Sequence, residues 1–418
     1  MMARDRAGRG WLPGIAGLLV AAAAGLWLLT GYTKQPVHPD AQAIASVRQK
    51  EPSPQWAAAV AGARRTLRAS IAAENVPGLS VAVGAGGEIV WSEGFGWADL
   101  KSRVPVTPDT RFRIGTVSTA LTSAAVGVLV EKGRLALDGE IQSYVPQFPK
   151  KQRALTLRQL MAHTGGLGDD RADEGALLRR RCEQPVEAVR QFAQDALLFE
   201  PGTQYRYSKY GWILVSAAVE AGAGRPFLAY MKEQIFQPLG MANTGAETAA
   251  KENPEAVGEE GEDPPPLTLI RHLILEPLGV LGVDVKPAGS PATIYAPGFG
   301  PKPAIRHGMH PMRIFNLSCY AGSMAFFSTP SDVVRFGLAM NSGKLLRPDT
   351  ARLLQTPQQL ASDEDGRLLG RRVASLLRLP ETGIVVAVMS NRADADTAAL
   401  ARKVAEAFAQ AAGQGASR

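Results

Sequence analysis

Thr116 and Thr119 stand at the head of a long apolar segment that opens Phe112-Arg113-Ile114-Gly115-Thr116-Val117-Ser118-Thr119. Residues three apart on a helix share a face. A nucleophile at 116 and a base at 119 would therefore point the same way, and a helix start favours the anion formed when a hydroxyl attacks a carbonyl. This chain supplies a threonine at each position. A threonine hydroxyl can attack, although its methyl crowds the approach. Without a positioned base it is a weak nucleophile, and general-base help alone is commonly worth about 10²–10⁴ in rate. Two readings of Thr116 stand side by side: an N-cap with no part in chemistry, or a nucleophile whose base comes from elsewhere. Ser118 has no lysine three residues on and offers no replacement.

The elements that must hold these groups can be traced along the chain. Val60 to Ala73 has helical spacing. Leu79-Ser80-Val81-Ala82-Val83 alternates, Ala85-Gly86-Gly87 turns, and Ile89-Val90-Trp91-Ser92 returns, which predicts a hairpin. Ser118 to Lys132 reads as a buried helix ended by Gly133. Leu155 to Met161 starts another, with Thr156 and Gln159 spaced as a capping box. Gly211 to Ala221 and the stretch from Ser331 to Phe336 read as helical. Gly383 to Met389 is a strand, followed by a helix from Ala395 to about Ala411. Hairpin, helices, then a closing strand and helix predict an α+β fold, an antiparallel sheet flanked by helices with a helical part beside it.

Composition sets the outer bounds. The chain has 418 residues, 45% hydrophobic and 20% charged, with net charge +7. The basic residues are scattered, and their one cluster, Arg179-Arg180-Arg181, has no aromatic neighbours interleaved, so nucleic-acid binding is not expected. Cys182 and Cys319 lack metal-type spacing; in an oxidising compartment they could pair, and two isolated packed thiols is the preferred reading; no cofactor is expected. Arg4, Arg6 and Arg9 precede an uncharged run from Trp11 to Leu29, which suits a transmembrane helix of about 20 residues. The charge bias keeps the N-terminus cytoplasmic. Residues 1–30 are thus expected to be an uncleaved signal-anchor, 31–55 a linker, and 56–418 a globular domain on the periplasmic side of a bacterial inner membrane. A proline-rich insertion runs from about 245 to 311.

Several stretches, taken in order, resemble the serine β-lactamase, penicillin-binding protein and esterase superfamily, in its class C-like, β-lactamase-related branch. They are Val76-Pro77-Gly78-Leu79-Ser80-Val81-Ala82-Val83, Trp91 to Gly96, Pro105 to Gly115, Leu157 to Leu167, Phe199-Glu200-Pro201-Gly202-Thr203 and Pro238-Leu239-Gly240-Met241. The resemblance implies a penicillin-recognising serine hydrolase architecture and three motifs around one cleft. Ser-x-x-Lys is replaced by Thr116-Val117-Ser118-Thr119. Tyr-x-Asn becomes Tyr207-Ser208-Lys209, where Lys209 either returns an amine near Thr116 or sits exposed at the rim. Lys-Thr-Gly or His-x-Gly is best matched by Glu364-Asp365-Gly366, with Arg367 next as an oxyanion-hole residue; an ordinary solvated acidic loop is the other reading. Glu364 reverses the charge that an incoming carboxylate would meet. The segment between Thr356-Pro357-Gln358 and Glu364 looks one strand short. In this family His163, in His-Thr-Gly-Gly, belongs to a structural turn.

Taken together, the departures at 116, 119, 209 and 364 imply a membrane-anchored, catalytically impaired relative of serine hydrolases that binds a small-molecule, peptide or peptidoglycan-like ligand. The alternative is an active esterase, peptidase or β-lactamase-like hydrolase using Thr116 with Lys209 or Tyr207 as base. A third reading pairs Lys209 with Glu364 across a closed cleft.

Overall fold

A computed structural model describes residues 35–169, 177–178, 180–246, 291–297, 307–312, 316–358, 368–369 and 373–416. The expected anchor and the Glu364–Arg367 motif lie outside the described residues, as do 247–290 and 298–306 of the insertion.

Alternating apolar side chains set the architecture. The strands in chain order are β1 (Ser46–Arg48), β2 (Gly78–Ala85), β3 (Glu88–Asp99), β4 (Val104–Pro105), β5 (Phe112–Arg113), β6 (Gly245–Ala246), β7 (Tyr295–Pro297), β8 (Met309–Pro311), β9 (Phe326–Ser328), β10 (Leu368–Leu369), β11 (Ala374–Leu379) and β12 (Ile384–Ser390). The main sheet runs β1-β3-β2-β12-β11-β10, with β4 beside β3, and every pairing in it is antiparallel. Successive residues point to opposite faces, so Val81, Val83, Val386 and Val388 enter one core while Ala82, Val385, Ala387 and Met389 enter the other. Covering both faces this way buries β2 and β12 along their whole lengths.

Helices α1 (Pro54–Ala73) and α9 (Thr397–Ala416) cover the first face. Trp56 and Phe408 stack between them with ring centroids 5.4 Å apart. The second face carries the helical part: α2 (Val117–Glu131), α3 (Leu157–Met161), α4 (Pro185–Phe192), α5 (Lys209–Ala223), α6 (Phe227–Met231), α7 (Pro330–Asn341) and α8 (Pro348–Gln358). The expected hairpin is present, and Gly86 and Gly87 take φ of +60° and +86°, the conformation a two-residue turn of this hand requires. The Thr156–Gln159 capping box forms in both directions. α1 begins six residues earlier than the spacing suggested, with Pro54 at its first turn.

Two expectations are revised, the linker at 31–55 and the isolated thiols. Residues 35–55 do not behave as a free linker: β1 pairs with β3, Ile44 is buried, and His38 Nε2 lies 3.1 Å from Pro77 O. The described ends of the insertion are docked, since Tyr295 exchanges backbone hydrogen bonds with Asn391 and Ala393 at 2.7 and 2.8 Å. Residues 359–363, where the chain looks one strand short, lie outside the described residues; Thr356-Pro357-Gln358 end α8, and β10, two residues long, forms the sheet edge after the motif. Cys182 and Cys319 are bonded to one another, not isolated; the fold closes the gap of 137 residues that spacing alone could not bridge. Among the described residues no helix is long and apolar enough to cross a membrane.

Candidate active site

Among the described candidates, Thr116 and Lys209 sit at helix starts, and Tyr207 just precedes the second. Ile114 N–H donates to Phe326 O at 3.0 Å, tying the end of β5 to β9. Gly115 then turns the chain with φ +50°, and α2 follows. Most of that helix is buried, including Val117, Leu121, Ala124 and Val126, so the sheet and neighbouring helices fix its first turn. A Cβ on Gly115 would stand 3.5 Å from Val373 Cγ2, which places that turn against the entry to β11.

Thr116 is exposed, with helical φ/ψ of −64° and −15°. Thr116 holds the N-cap position of α2, but its side chain makes no cap hydrogen bond. Thr119 Oγ1 donates to Thr116 O at 2.8 Å. The position where a base would stand thus holds a hydroxyl turned onto the helix's own backbone. Ser118 is buried, and its hydroxyl has no hydrogen-bond partner among the described residues.

The second motif caps α5. Ser208 Oγ accepts Gly211 N–H at 3.2 Å and donates to Gly168 O at 2.6 Å. Those bonds lock the helix start to the turn after α3. Lys209 N–H donates to Asp169 Oδ1 at 3.2 Å, and Lys209 Nζ lies 3.6 Å from the same oxygen. Nζ also stands 5.7 Å from the ring centroid of buried Tyr320. Lys209 is therefore half-buried against Asp169, and the exposed-rim reading does not describe it. The proposed pairing with Glu364 concerns a residue outside the described set; the observed partner is Asp169.

Tyr207 keeps 36% of its surface in solvent. Burial of the rest, then the Asp169 carboxylate and Tyr205, push its hydroxyl above the usual phenol range. Its ring tilts over His163 with centroids 4.6 Å apart. His163 has φ +58°, consistent with its expected place in the turn. Burial holds its pKa down to about 4. Ser208 N–H donates to Nδ1 at 3.1 Å, and Trp212 Nε1 lies 3.3 Å from Nε2. A neutral ring accepts through only one nitrogen, and a protonated ring through neither. His163 thus supports Tyr207 from below as a neutral ring.

A 3₁₀ turn, Ser318–Ser323, joins the two helices. Thr122 Oγ1, on α2, donates to Gly322 O at 2.9 Å, and Gly322 N–H donates to Ser216 Oγ, on α5, at 3.1 Å. Asp169, Tyr320 and the Cys182–Cys319 bond were not foreseen as neighbours of the site. Asp169 lies 40 residues before Lys209 in the chain, and nothing local marks it. The third motif lies outside the described residues; Leu368–Leu369, directly after Arg367, form the edge strand beside β11.

A family model described as Beta-lactamase matches residues 63–410. The chain belongs to the Beta-lactamase family. Among curated relatives, human "Serine beta-lactamase-like protein LACTB, mitochondrial" is 30% identical over 278 residues, covering 49% of this chain and 51% of that protein. The "Putative penicillin-binding protein PbpX" of Bacillus subtilis is 33% identical over 178 residues, covering 42% and 43%. The chain thus spans about half the length of the curated relatives it matches. In solved structures, EstCE1, a hydrolase with promiscuous acyltransferase activity, aligns with TM-score 0.63 at 19% identity over 84% of this chain and 98% of its own. D-amino acid amidase from Ochrobactrum anthropi SV3 gives TM-score 0.59 at 19% over 80% and 95%. FmtA from Staphylococcus aureus gives 0.60 at 17% over 88% and 91%. At those identities the likeness shows the fold alone. The mixed α/β architecture is that of penicillin-binding and β-lactamase-like serine hydrolases.

Proposed function

We propose that this protein is a catalytically impaired family member that binds, and does not cleave, a small-molecule, peptide or peptidoglycan-like ligand in the cleft between α2 and α5. The observation that carries this reading is the occupation of every described candidate base. Thr119 donates its hydroxyl hydrogen to Thr116 O at 2.8 Å. Lys209 Nζ is paired with Asp169 Oδ1 at 3.6 Å and is turned toward that carboxylate. Burial and Asp169 keep the Tyr207 hydroxyl protonated, so it can donate but serves poorly as a base at neutral pH. Residues 1–30 would anchor the chain with the domain outside the cytoplasm, an assignment supported by the arginines before the apolar run and by the Cys182–Cys319 bond, which suits an oxidising compartment.

The alternative, an active hydrolase, draws on one feature: the Thr116 hydroxyl is exposed and spends no hydrogen bond on capping its helix. One experiment divides the two. The chain from Gln35 onward keeps the docked segment and β1. It is exposed to a fluorescent penicillin, a fluorophosphonate and a p-nitrophenyl ester. The impaired reading expects unchanged intact mass and no turnover above buffer, with saturable non-covalent binding. An adduct on Thr116, or turnover abolished by Thr116→Ala, would establish the hydrolase.

A further inference from the structure

The turn Ser318–Ser323 carries no family motif, yet it is hydrogen-bonded to both α2 and α5. Its fit is tight: a Cβ on Gly322 would stand 2.1 Å from Thr122 Oγ1, 2.7 Å from Phe227 Cζ and 2.9 Å from Ser216 Oγ. Within it Ala321 adopts φ +40°, ψ −128°, a conformation that a residue with a Cβ disfavours and that persists only where the surroundings impose it. Five ties impose it. Thr122 and Ser216 hold the two sides of Gly322. Ala325 N–H donates to Ala321 O at 3.1 Å. Cys319 is bonded to Cys182, whose own N–H donates to Ser318 Oγ at 3.0 Å. Between Cys319 and Ala321 lies Tyr320, the ring beneath Lys209 Nζ.

Both cysteines of the bridge are buried, Cys182 the less completely. Cys319 is fully buried, whereas Cys182 keeps 7% of its surface exposed between the exposed Arg181 and Glu183. Arg180 and Arg181, in the same segment, favour the approach of an anionic thiolate.

We infer that the Cys182–Cys319 bond is a redox-controlled hold on Lys209: its reduction by a dithiol frees the turn that carries Tyr320 and lets Lys209 move in the cleft. A thiolate of the dithiol attacks Cys182 Sγ, the S–S bond breaks, and Cys319 leaves as a thiolate and takes up a proton. The second thiol of the reagent then displaces Cys182 from the mixed disulfide, and Cys182 is protonated in turn. The dithiol is oxidised to a disulfide, and the protein gains two electrons and two protons. Lys209 responds in this way whether or not the cleft cleaves its ligand.

The test uses the full chain, oxidised or treated with dithiothreitol. It is acetylated by an N-hydroxysuccinimide ester, with amide exchange followed in parallel by mass spectrometry. Reduction is expected to speed acetylation of Lys209 severalfold relative to exposed Lys344. Exchange across Ser318–Ser323 should quicken about tenfold or more while β2 and β12 stay protected, the pattern of a local opening. Cys182→Ser with Cys319→Ser should reproduce the effect. Adding Ala321→Gly, which suits that backbone conformation, should reverse most of it. Unchanged Lys209 labelling after complete reduction would overturn the inference. So would loss of β2 and β12 protection in the same step, or a bond that dithiothreitol does not reduce in the folded protein.

Discussion

Replacing Thr116 by Ser and Thr119 by Lys tests whether a missing base is what silences the cleft. Thr119 is half-buried and bonded to its own helix backbone. A lysine there would stand one helical turn from the hydroxyl at 116, with its head group within reach of water. The lost back-bond is a minor term. General-base help of about 10²–10⁴ corresponds to about 3–5 kcal/mol of barrier at 1.36 kcal/mol per decade. The assay is the rate of covalent labelling by a fluorescent penicillin, read by intact mass, for the parent chain, Thr116→Ser, the double variant, and the double variant with Lys209→Asn. Thr116→Ser alone removes only a methyl and should change little. The double variant should label about 10²–10⁴ times faster than Thr116→Ser. Removing Lys209 should not slow it, because that ammonium belongs to Asp169. A parent chain that labels as fast as the double variant would refute the reasoning. A folded double variant that stays inert would do so as well, by placing the deficit outside the base position.

Three further outcomes are expected. Arg64→Ala should destabilise the domain by about 3–5 kcal/mol in urea unfolding, because it leaves an unpaired buried carboxylate: fully buried Glu93 takes bonds from Arg64 Nε at 3.1 Å and Nη2 at 2.7 Å, and from Trp91 Nε1 at 3.0 Å. His163 has its folded pKa lowered to about 4 from an unfolded value near 6.5. The unfolded chain therefore binds the extra proton first, and stability is complete above about pH 6.5 and falls as the pH drops toward 4, by up to about 3 kcal/mol. His163→Asn, whose side chain tolerates the left-handed backbone, should flatten that slope in unfolding curves at pH 7.5 and 4.5; an unchanged slope would assign it to other groups. Gly322→Ala should cost about 1–3 kcal/mol by overpacking and should raise exchange at the start of α5, since the added methyl meets Thr122 Oγ1 at 2.1 Å.

What the sequence disclosed was whatever depends on near neighbours. The hairpin at Gly86-Gly87, the Thr156–Gln159 box, the helix stopped by Gly133 and the closing strand before α9 are all set within a dozen residues, by turn chemistry and apolar period. What it concealed was set by pairing across the fold. Ser46-Val47-Arg48 carries no strong strand signal and becomes β1 only because β3 offers an open edge. Cys182 and Cys319 meet because α4, α5 and the Ser318–Ser323 turn pack together. The place of Thr116 ahead of its helix was legible from the motif, whereas the apolar pattern put the start of α5 at Gly211 and it begins at Lys209. The tie of Lys209 to Asp169 was not legible, since it follows from how the turn after α3 folds against the start of α5.

The pairing of β2 with β12 governs when this protein can form at all. Val83 lies opposite Val386, about three hundred positions later in synthesis. At roughly 5–20 residues per second, the ribosome takes about 15–60 s to supply that partner. Through that interval the inner edge of the first hairpin and the apolar side of α1 have nothing to cover them, and bare edges of this kind recruit other chains. Assembly therefore waits on the last strand and helix to be made, and a holding chaperone would be of most use to the nascent chain before residue 384 has emerged.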